Sequence, residues 1–258
     1  MIKVLSIAGS DPSGGAGIQV DLKVFQALGA FGMAVPAALT IQNSKGVSGV
    51  HPVQPKVLSQ QIEALLSDIK PDAIKTGMLL TSDAVHAVSL AIKKHRIKNL
   101  IIDPVLRSSS GTALLYSAAI AAFKKDLIPQ ALIVTPNIPE AESLSGTSIT
   151  SDEDMDFAAG AILDLGVSYV LIKGGHRKGA AKDTLYGGKT VLSFSTPRRK
   201  GRFHGTGCVL SSAITVFIAR GFSVEKAVEK AKQVVDDLLK TAKPVGKSKT
   251  KYFQFGDN

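Results

Sequence analysis

Val4-Leu5-Ser6-Ile7-Ala8 runs through Gly9-Ser10-Asp11-Pro12-Ser13-Gly14-Gly15-Ala16-Gly17 into Ile18-Gln19-Val20-Asp21-Leu22-Lys23. An apolar β-branched run that turns through glycines into residues of helical spacing predicts a strand, a loop and a helix. The alternation repeats to about Lys173. Further strands are predicted at Met33–Thr40, Ala73–Lys75, Leu100–Asp103, Leu132–Thr135 and Tyr169–Lys173. Helices are predicted between them at Ile18–Leu28, Lys56–Ile69, Asp83–Lys94, Ser117–Asp126 and Asp152–Leu165. Buried strands alternating with helices make an open α/β sheet covered on both faces. Gly29 is expected to end the first helix, and Ser82 and Ser151 to begin later ones. A small hairpin, Thr184–Tyr186 and Thr190–Phe194 turning at Gly187-Gly188, then precedes two helices, Cys208–Ala219 and Val224–Thr241. With no repeat and no long linker, residues 1–258 read as one domain whose last ten or so basic residues fray.

Composition narrows the function. At 45% hydrophobic residues the chain holds ample core, and its formal net charge is +10. One cysteine, no charged-then-apolar leader and no run of about twenty apolar residues read as a reduced, soluble, cytoplasmic protein away from membranes. The excess charge clusters at Arg198, Arg199, Lys200 and Arg202 and along Lys240 to Lys251. Trp is absent and the aromatics do not interleave with the basic runs, so no stacking platform for nucleic acid is present. The arginine run is read instead as steering a polyanionic small molecule.

Ligands of open α/β sheets gather at the carboxyl ends of the strands, and the polar residues lie there. Strand one enters the Gly9 to Gly17 loop, strand two Gln42-Asn43 and strand three Thr76-Gly77-Met78. Later strands deliver Asp103-Pro104, Pro136-Asn137-Ile138-Pro139-Glu140 and Lys173-Gly174-Gly175-His176. Phe203-His204-Gly205-Thr206-Gly207-Cys208 then leads into Val209, Leu210, Ala213, Ile214, Phe217 and Ile218 at helical spacing. Gly205, Thr206 and Gly207 thus open a helix, and backbone amides turned inward there with the positive end of the dipole suit phosphate. Cys208 falls in the first turn, where a thiol's pKa is expected to drop from about 8.5 toward neutrality. A lone cysteine is also an ordinary small buried hydrophobe. No Walker-type G-x-x-x-x-G-K-[ST] occurs, and Asp11 in the first loop would repel a pyrophosphate. Asp103, Asn137 and Glu140 offer hard oxygens for Mg²⁺ and Lys173 a point charge for phosphate, the parts of phosphoryl transfer. Taken singly, Asp103 before Pro104 is also a turn residue, and Asn137 with Glu140 a helix cap and its first-turn acid.

These segments, with Thr40-Ile41-Gln42-Asn43 and Lys75-Thr76-Gly77-Met78, resemble the hydroxymethylpyrimidine/phosphomethylpyrimidine kinases of thiamine biosynthesis over nearly the whole chain. The resemblance implies a three-layer αβα ribokinase-like fold with a central mostly parallel sheet and a small terminal hairpin. It also implies MgATP as phosphoryl donor and a homodimer. The reaction implied is phosphorylation of 4-amino-5-hydroxymethyl-2-methylpyrimidine and then of its monophosphate. By this resemblance Gln42 reads the pyrimidine, whose ring nitrogen and amino group complement an amide. Gly9 and Asp11 lie along the ring and hydroxymethyl group. Met78 walls the ring or packs the core, and Asp21 orients substrate or answers Lys23. Cys208 stands where related sugar kinases carry an aspartate base. Lys173 and Lys232 match positions near the nucleotide phosphates, although Lys232 also fits a solvated helix lysine. The stretch Arg107-Ser108-Ser109-Ser110-Gly111-Thr112, Val209 and the lysine-rich tail depart from the family pattern. Two other readings remain: a pyridoxal kinase of the same superfamily, and a non-catalytic nucleotide-binding regulator.

Overall fold

The structure, a computed structural model, describes residues 1–108, 111–174, 181–188 and 190–256. Its first half comprises β1 (Lys3–Ser10), α1 (Gly17–Ala27), β2 (Phe31–Asn43), β3 (Gly46–Pro52), α2 (Pro55–Asp68), β4 (Ala73–Thr76), α3 (Ser82–Lys94) and β5 (Leu100–Ile102). There follow α4 (Ser117–Ala122), β6 (Ile133–Val134), α5 (Ile138–Ser145), α6 (Asp152–Leu163), β7 (Tyr169–Lys173), β8 (Ala181–Gly187) and β9 (Thr190–Thr196). The chain closes with α7 (Thr206–Ala219), α8 (Val224–Thr241), β10 (Lys243–Pro244) and β11 (Lys251–Tyr252).

Among the described residues one sheet runs in the order β3-β2-β1-β4-β5-β6-β7-β8-β9. The strands from β2 to β7 in that order are parallel, with β3 antiparallel on one edge and β8 and β9 on the other. Successive strand side chains point to opposite faces, and the two cores separate accordingly. Leu5, Ile7, Ile74, Leu100, Ile102, Val134, Val170 and Ile172 join the core under α2 to α6. Val4, Ala73, Ile101, Ile133 and Leu171 join the core under α1, α7 and α8. Helix α7 is buried from Val209 to Ile218, serines and threonine included, so the glycine motif feeds the most enclosed helix of the fold. An α/β protein with a mostly parallel sheet between helical layers is what the sequence led us to expect.

Local differences have local causes. Thr81, not Ser82, caps α3, because its extended backbone lets its hydroxyl accept from the Ala84 amide at 3.2 Å. Ser151 caps α6 as expected, in a reciprocal box with Asp154. The helix predicted over Ser117–Asp126 widens to a π-type turn at Phe123–Leu127, just ahead of Pro129, which has no amide to continue it. Part of the tail expected to fray is instead docked, at residues 251–253. β11 pairs with β10, Lys251 bridges to Phe203, and Tyr252 and Phe253 are buried. Arg199, read as a steering charge, is held by Asp236 in a two-pronged ion pair with contacts of 2.9 to 3.1 Å.

Candidate active site

The carboxyl ends of β1, β4, β5 and β7 converge on the first turn of α7. Gly205 caps that helix with φ 80°, a left-handed conformation that glycine adopts without strain. A Cβ there would lie 1.9 Å from the Gly15 carbonyl oxygen, so the motif and the first loop interlock through bare backbone. The Thr206, Gly207 and Cys208 amides occupy positions where a helix has no carbonyl to receive them. A Cβ on Gly207 would sit 3.2 Å from Lys173 Nζ and 3.6 Å from Asp103 Oδ2, so that glycine keeps open the space between amides and ammonium. Together they form an anion cradle.

Beside it lies a cavity of about 70 Å³ whose walls include Gly9, Asp11, Gln42, Lys75, Met78 and Cys208. Thr40 and Gln42 face it while their neighbours Leu39 and Ile41 are exposed, as strand alternation requires. The β2–β3 register shifts between Ile41 and Gln42, the kind of irregularity that re-aims a side chain. A larger open hollow of about 480 Å³ lies between α1 and Phe255-Gly256, but none of the converging groups enters it.

Asp11 lines the cavity yet is engaged in shaping its own loop. Its Oδ1 accepts from the Ser13 amide and hydroxyl, and its Oδ2 from the Gly15 and Ala16 amides. His204 Nε2 lies 2.8 Å from the same Oδ2 and 2.9 Å from Gln42 Nε2. Burial pushes the Asp11 carboxyl up, but the hydrogen bonds from His204 and Ser13 outweigh it and hold the group below the usual range. Tyr252 packs edge-on against His204, with ring centroids 5.2 Å apart, and its hydroxyl donates to Ser13.

Asp21 is not at the substrate surface. It is fully buried, with Lys75 Nζ at 2.6 Å and the Ser212 hydroxyl at 2.7 Å on Oδ1, and the Ser6 hydroxyl at 2.6 Å on Oδ2. Its reach to the cavity is indirect, through Lys75. Burial favours loss of the Lys75 proton, but the Asp21 carboxylate prevails and the ammonium is held above its ordinary range. Two opposite charges set into otherwise apolar elements, Lys75 in β4 and Asp21 in α1, were a signal in the sequence that they pair. Cys208 departs from expectation. Its thiol is pushed up to about 11, first by burial, then against the lowering influence of Lys75 and with the raising influence of Asp103 and Asp21. The helix dipole contributes at most about 2 kcal/mol and does not overcome enclosure between paired charges.

The third group straddles the cradle. Lys173 Nζ lies 3.0 Å from Asp103 Oδ1 and 3.9 Å from Glu140 Oε2. Burial alone would raise the Asp103 carboxyl, yet Lys173 and Lys75 keep it below its normal value. Glu140 is pushed up to about 7 by burial, which Lys173 offsets only in part and Asp103 reinforces. Asn137 caps α5 by accepting from the Glu140 amide at 2.9 Å, and Glu140 Oε2 accepts from the Asn137 amide at 2.7 Å. The capping alternative therefore holds for both residues. Lys232, matched to the nucleotide phosphates, is buried in an ion pair with Asp183, which also receives the Gly174 amide. Its charge is committed to tying α8 to β8. Gly175, His176, Ser109 and Ser110 lie outside the described residues.

Among the described residues no group of three or more His, Cys, Asp or Glu side chains is placed to hold a metal ion. Mg²⁺ needs less, because it keeps waters and takes one or two carboxylates together with substrate phosphates. Asp103 and Glu140 bring two carboxylates to the side of Lys173, and Glu140, raised first by burial and further by Asp103, would be eased into its charged form by a nearby cation. The donor set fits a hard divalent cation.

An α/β sheet ending in an anion cradle, with a ring-sized cavity alongside, defines a small-molecule phosphotransferase of ribokinase-like fold. The phosphomethylpyrimidine kinase family model matches residues 11–252, and the chain belongs to that family. It is 40% identical to the hydroxymethylpyrimidine/phosphomethylpyrimidine kinase of Bacillus subtilis, covering 99% of this chain and 96% of that one. A thiamine biosynthesis bifunctional protein of Geobacter sulfurreducens is 41% identical over 95% of this chain, which spans 50% of that protein's length. The crystal structure of phosphomethylpyrimidine kinase from Clostridium difficile superimposes with a TM-score of 0.83 at 43% identity, over 92% of this chain and 99% of that one. An ADP complex of Bacillus subtilis pyridoxal kinase gives a TM-score of 0.90 at 35% identity, over 99% and 97%.

Proposed function

We propose that this protein transfers the γ-phosphoryl group of ATP to the hydroxymethyl group of 4-amino-5-hydroxymethyl-2-methylpyrimidine, and then phosphorylates the monophosphate to the diphosphate. The observation that carries the reading is one small cavity lined by both Gln42 and Cys208, beside the first turn of α7. Gln42 supplies a donor and an acceptor side by side for the ring nitrogen and amino group. Gly9 and Met78 flank the ring. The transferred phosphoryl group sits over the Thr206, Gly207 and Cys208 amides with Lys173 at its side, so charge spread over its oxygens meets fixed donors. Asp103 and Glu140 would hold Mg²⁺, directly or through waters, and the ion supplies neutralisation of phosphate charge. Lys232 acts at a distance by fixing Asp183 and, through it, the Gly174 backbone.

The neutral thiol of Cys208 suits both transfers. The transition state of phosphoryl transfer is loose and needs little early deprotonation of the alcohol. In the second transfer the nucleophile is already a phosphate oxygen, and an uncharged sulfur does not repel it. A homodimer follows from the same reading, supported by the exposed Leu39 and Ile41 on the outer face of β2. A cytoplasmic setting accords with the single unpaired cysteine.

Pyridoxal remains a second substrate to test, since pyridoxal kinases share this backbone closely. Purified protein with MgATP should convert hydroxymethylpyrimidine through the monophosphate to the diphosphate, followed by mass spectrometry, with a higher kcat/KM than for pyridoxal. Turnover of pyridoxal alone would overturn the assignment.

A further inference from the structure

We propose that His204 is a positioning residue that sets which way round the Gln42 amide faces the substrate, and thereby sets specificity for the aminopyrimidine. The inference rests on Gln42 being the ring-reading residue. Proton bookkeeping at one nitrogen carries it. His204 Nε2 lies 2.8 Å from Asp11 Oδ2 and 2.9 Å from the end of the Gln42 amide, so one nitrogen serves both. An ionised carboxylate can only accept, and Asp11 accepts from two backbone amides on that same oxygen. His204 Nε2 therefore carries the hydrogen, since a bare nitrogen would oppose its lone pair to the carboxylate. A nitrogen that donates to Asp11 cannot also accept from an amide NH₂. The Gln42 atom beside it must then be the carbonyl oxygen, sharing the hydrogen in a three-centre bond. One oxygen lone pair stays free for the substrate amino group, and the Gln42 NH₂ donates to the ring nitrogen.

The opposite amide orientation would present the same two groups in reverse order. The ring could satisfy both only by turning over, which carries its hydroxymethyl group to the side away from Cys208. His204 is itself fixed from three sides. Its backbone amide donates to the Lys251 carbonyl at 3.0 Å, Tyr252 meets its ring edge-on, and Asp11 holds Nε2. The C-terminal strand β11 thus reaches the substrate through one histidine. Residues 11, 42 and 204 come from three segments far apart in sequence, and the arrangement has no counterpart in a simple loop turn.

Two measurements test it. In the free enzyme labelled with ¹⁵N-histidine, long-range ¹H–¹⁵N correlation spectra at neutral pH should show Nε2 of His204 protonated, the signal being assigned by its loss in His204→Gln. An unprotonated Nε2 overturns the proposal, whatever the substrate proves to be. For specificity, His204→Phe keeps a ring against Tyr252 but removes the donor, while His204→Gln restores an NH₂ that reaches both Asp11 and Gln42. His204→Phe should lower kcat/KM for hydroxymethylpyrimidine by about tenfold to a hundredfold, mainly through KM, with KM for ATP unchanged. The preference over pyridoxal should fall, and His204→Gln should recover most of both. A Phe variant with unaltered preference, or a Gln variant as impaired as Phe, overturns it. Failure of the wild-type enzyme to phosphorylate hydroxymethylpyrimidine would instead sink the function proposed above, leaving the histidine spectrum as the judge of this inference.

Discussion

Cys208 offers the sharpest test of the electrostatics, because it is the only cysteine and one reagent reports on it alone. With its thiol pushed up to about 11, roughly one molecule in ten thousand carries a thiolate at pH 7. A free cysteine of pKa about 8.5 is about 3% ionised there, a ratio near three hundred. The more basic thiolate is intrinsically the better nucleophile, and a Brønsted slope of about 0.4–0.5 returns roughly a tenfold factor. Alkylation by iodoacetamide should therefore run about twenty- to thirtyfold slower than that of a cysteine peptide at pH 7, before any slowing by the cavity walls. The pH profile discriminates better than the absolute rate. The enzyme's rate should keep rising about tenfold per unit well past pH 9, where the peptide levels off. Mass spectrometry of the single adduct gives the rate directly. A plateau at or below pH 8.5 would refute the reasoning, because it would mean that Lys75 and the helix dipole dominate over burial.

Three further outcomes follow from the same charges. Cys208→Asp should retain most of the first transfer but lose tenfold or more of the second, on the order expected for a permanent charge beside an incoming phosphate; equal retention in a two-step product assay counts against the neutral-thiol argument. Lys75→Met should destabilise the fold by about 3–5 kcal/mol by stranding buried Asp21, and adding Asp21→Asn should recover much of that in denaturant melts. No recovery would mean the ion pair is not what the loss reports. Glu140 has a raised pKa of about 7 and so is protonated and neutral below it; apparent Mg²⁺ affinity, titrated with the ion in excess over ATP, should strengthen from pH 6 to pH 8. Glu140→Gln should remove that trend, and a trend that persists unchanged assigns it to the nucleotide.

Much of the architecture was legible because its signals are local. The β-branched runs and helical spacings located the parallel strands, Ser151 marked α6, and α8 was bounded correctly from Val224 to Thr241. β3 escaped, since Gly46–Pro52 is a short edge strand with two glycines and a closing proline and has little alternation to detect. α5 escaped for another reason. Asn137 and Glu140 were read as a possible cap and first-turn acid, but the eight residues of Ile138–Ser145 carry too little helical spacing to have been given a range. The docked tail depends on Tyr252 meeting His204 and Ser13, contacts between residues 48 or more apart that no window along the chain contains. The cavity residues were identified by resemblance, but their partners were not: Asp21 was expected to orient substrate or answer Lys23, and instead Lys75, Ser6 and Ser212 close around it.

Burial raises the Cys208 thiol first, and the carboxylates of Asp103 and Asp21 blunt the lowering influence of Lys75. Around Cys208, Lys75 is matched by Asp21 and Lys173 by Asp103, while Glu140 stands near neutrality through its raised pKa. Each ammonium that could draw out a thiolate is already paired with a carboxylate, Lys75 with Asp21 at 2.6 Å and Lys173 with Asp103 at 3.0 Å. The amides of the α7 first turn remain as the attraction for an anion, and on the proposed function they would act on the transferred phosphoryl group. An aspartate at 208 would add an unpaired carboxylate beside Asp103 and Glu140, where the two lysines are already matched. Such a site would favour a neutral alcohol as acceptor and oppose a phosphorylated one. On the function proposed above, a cysteine held as a thiol would leave the site open to both acceptors of a two-step phosphorylation.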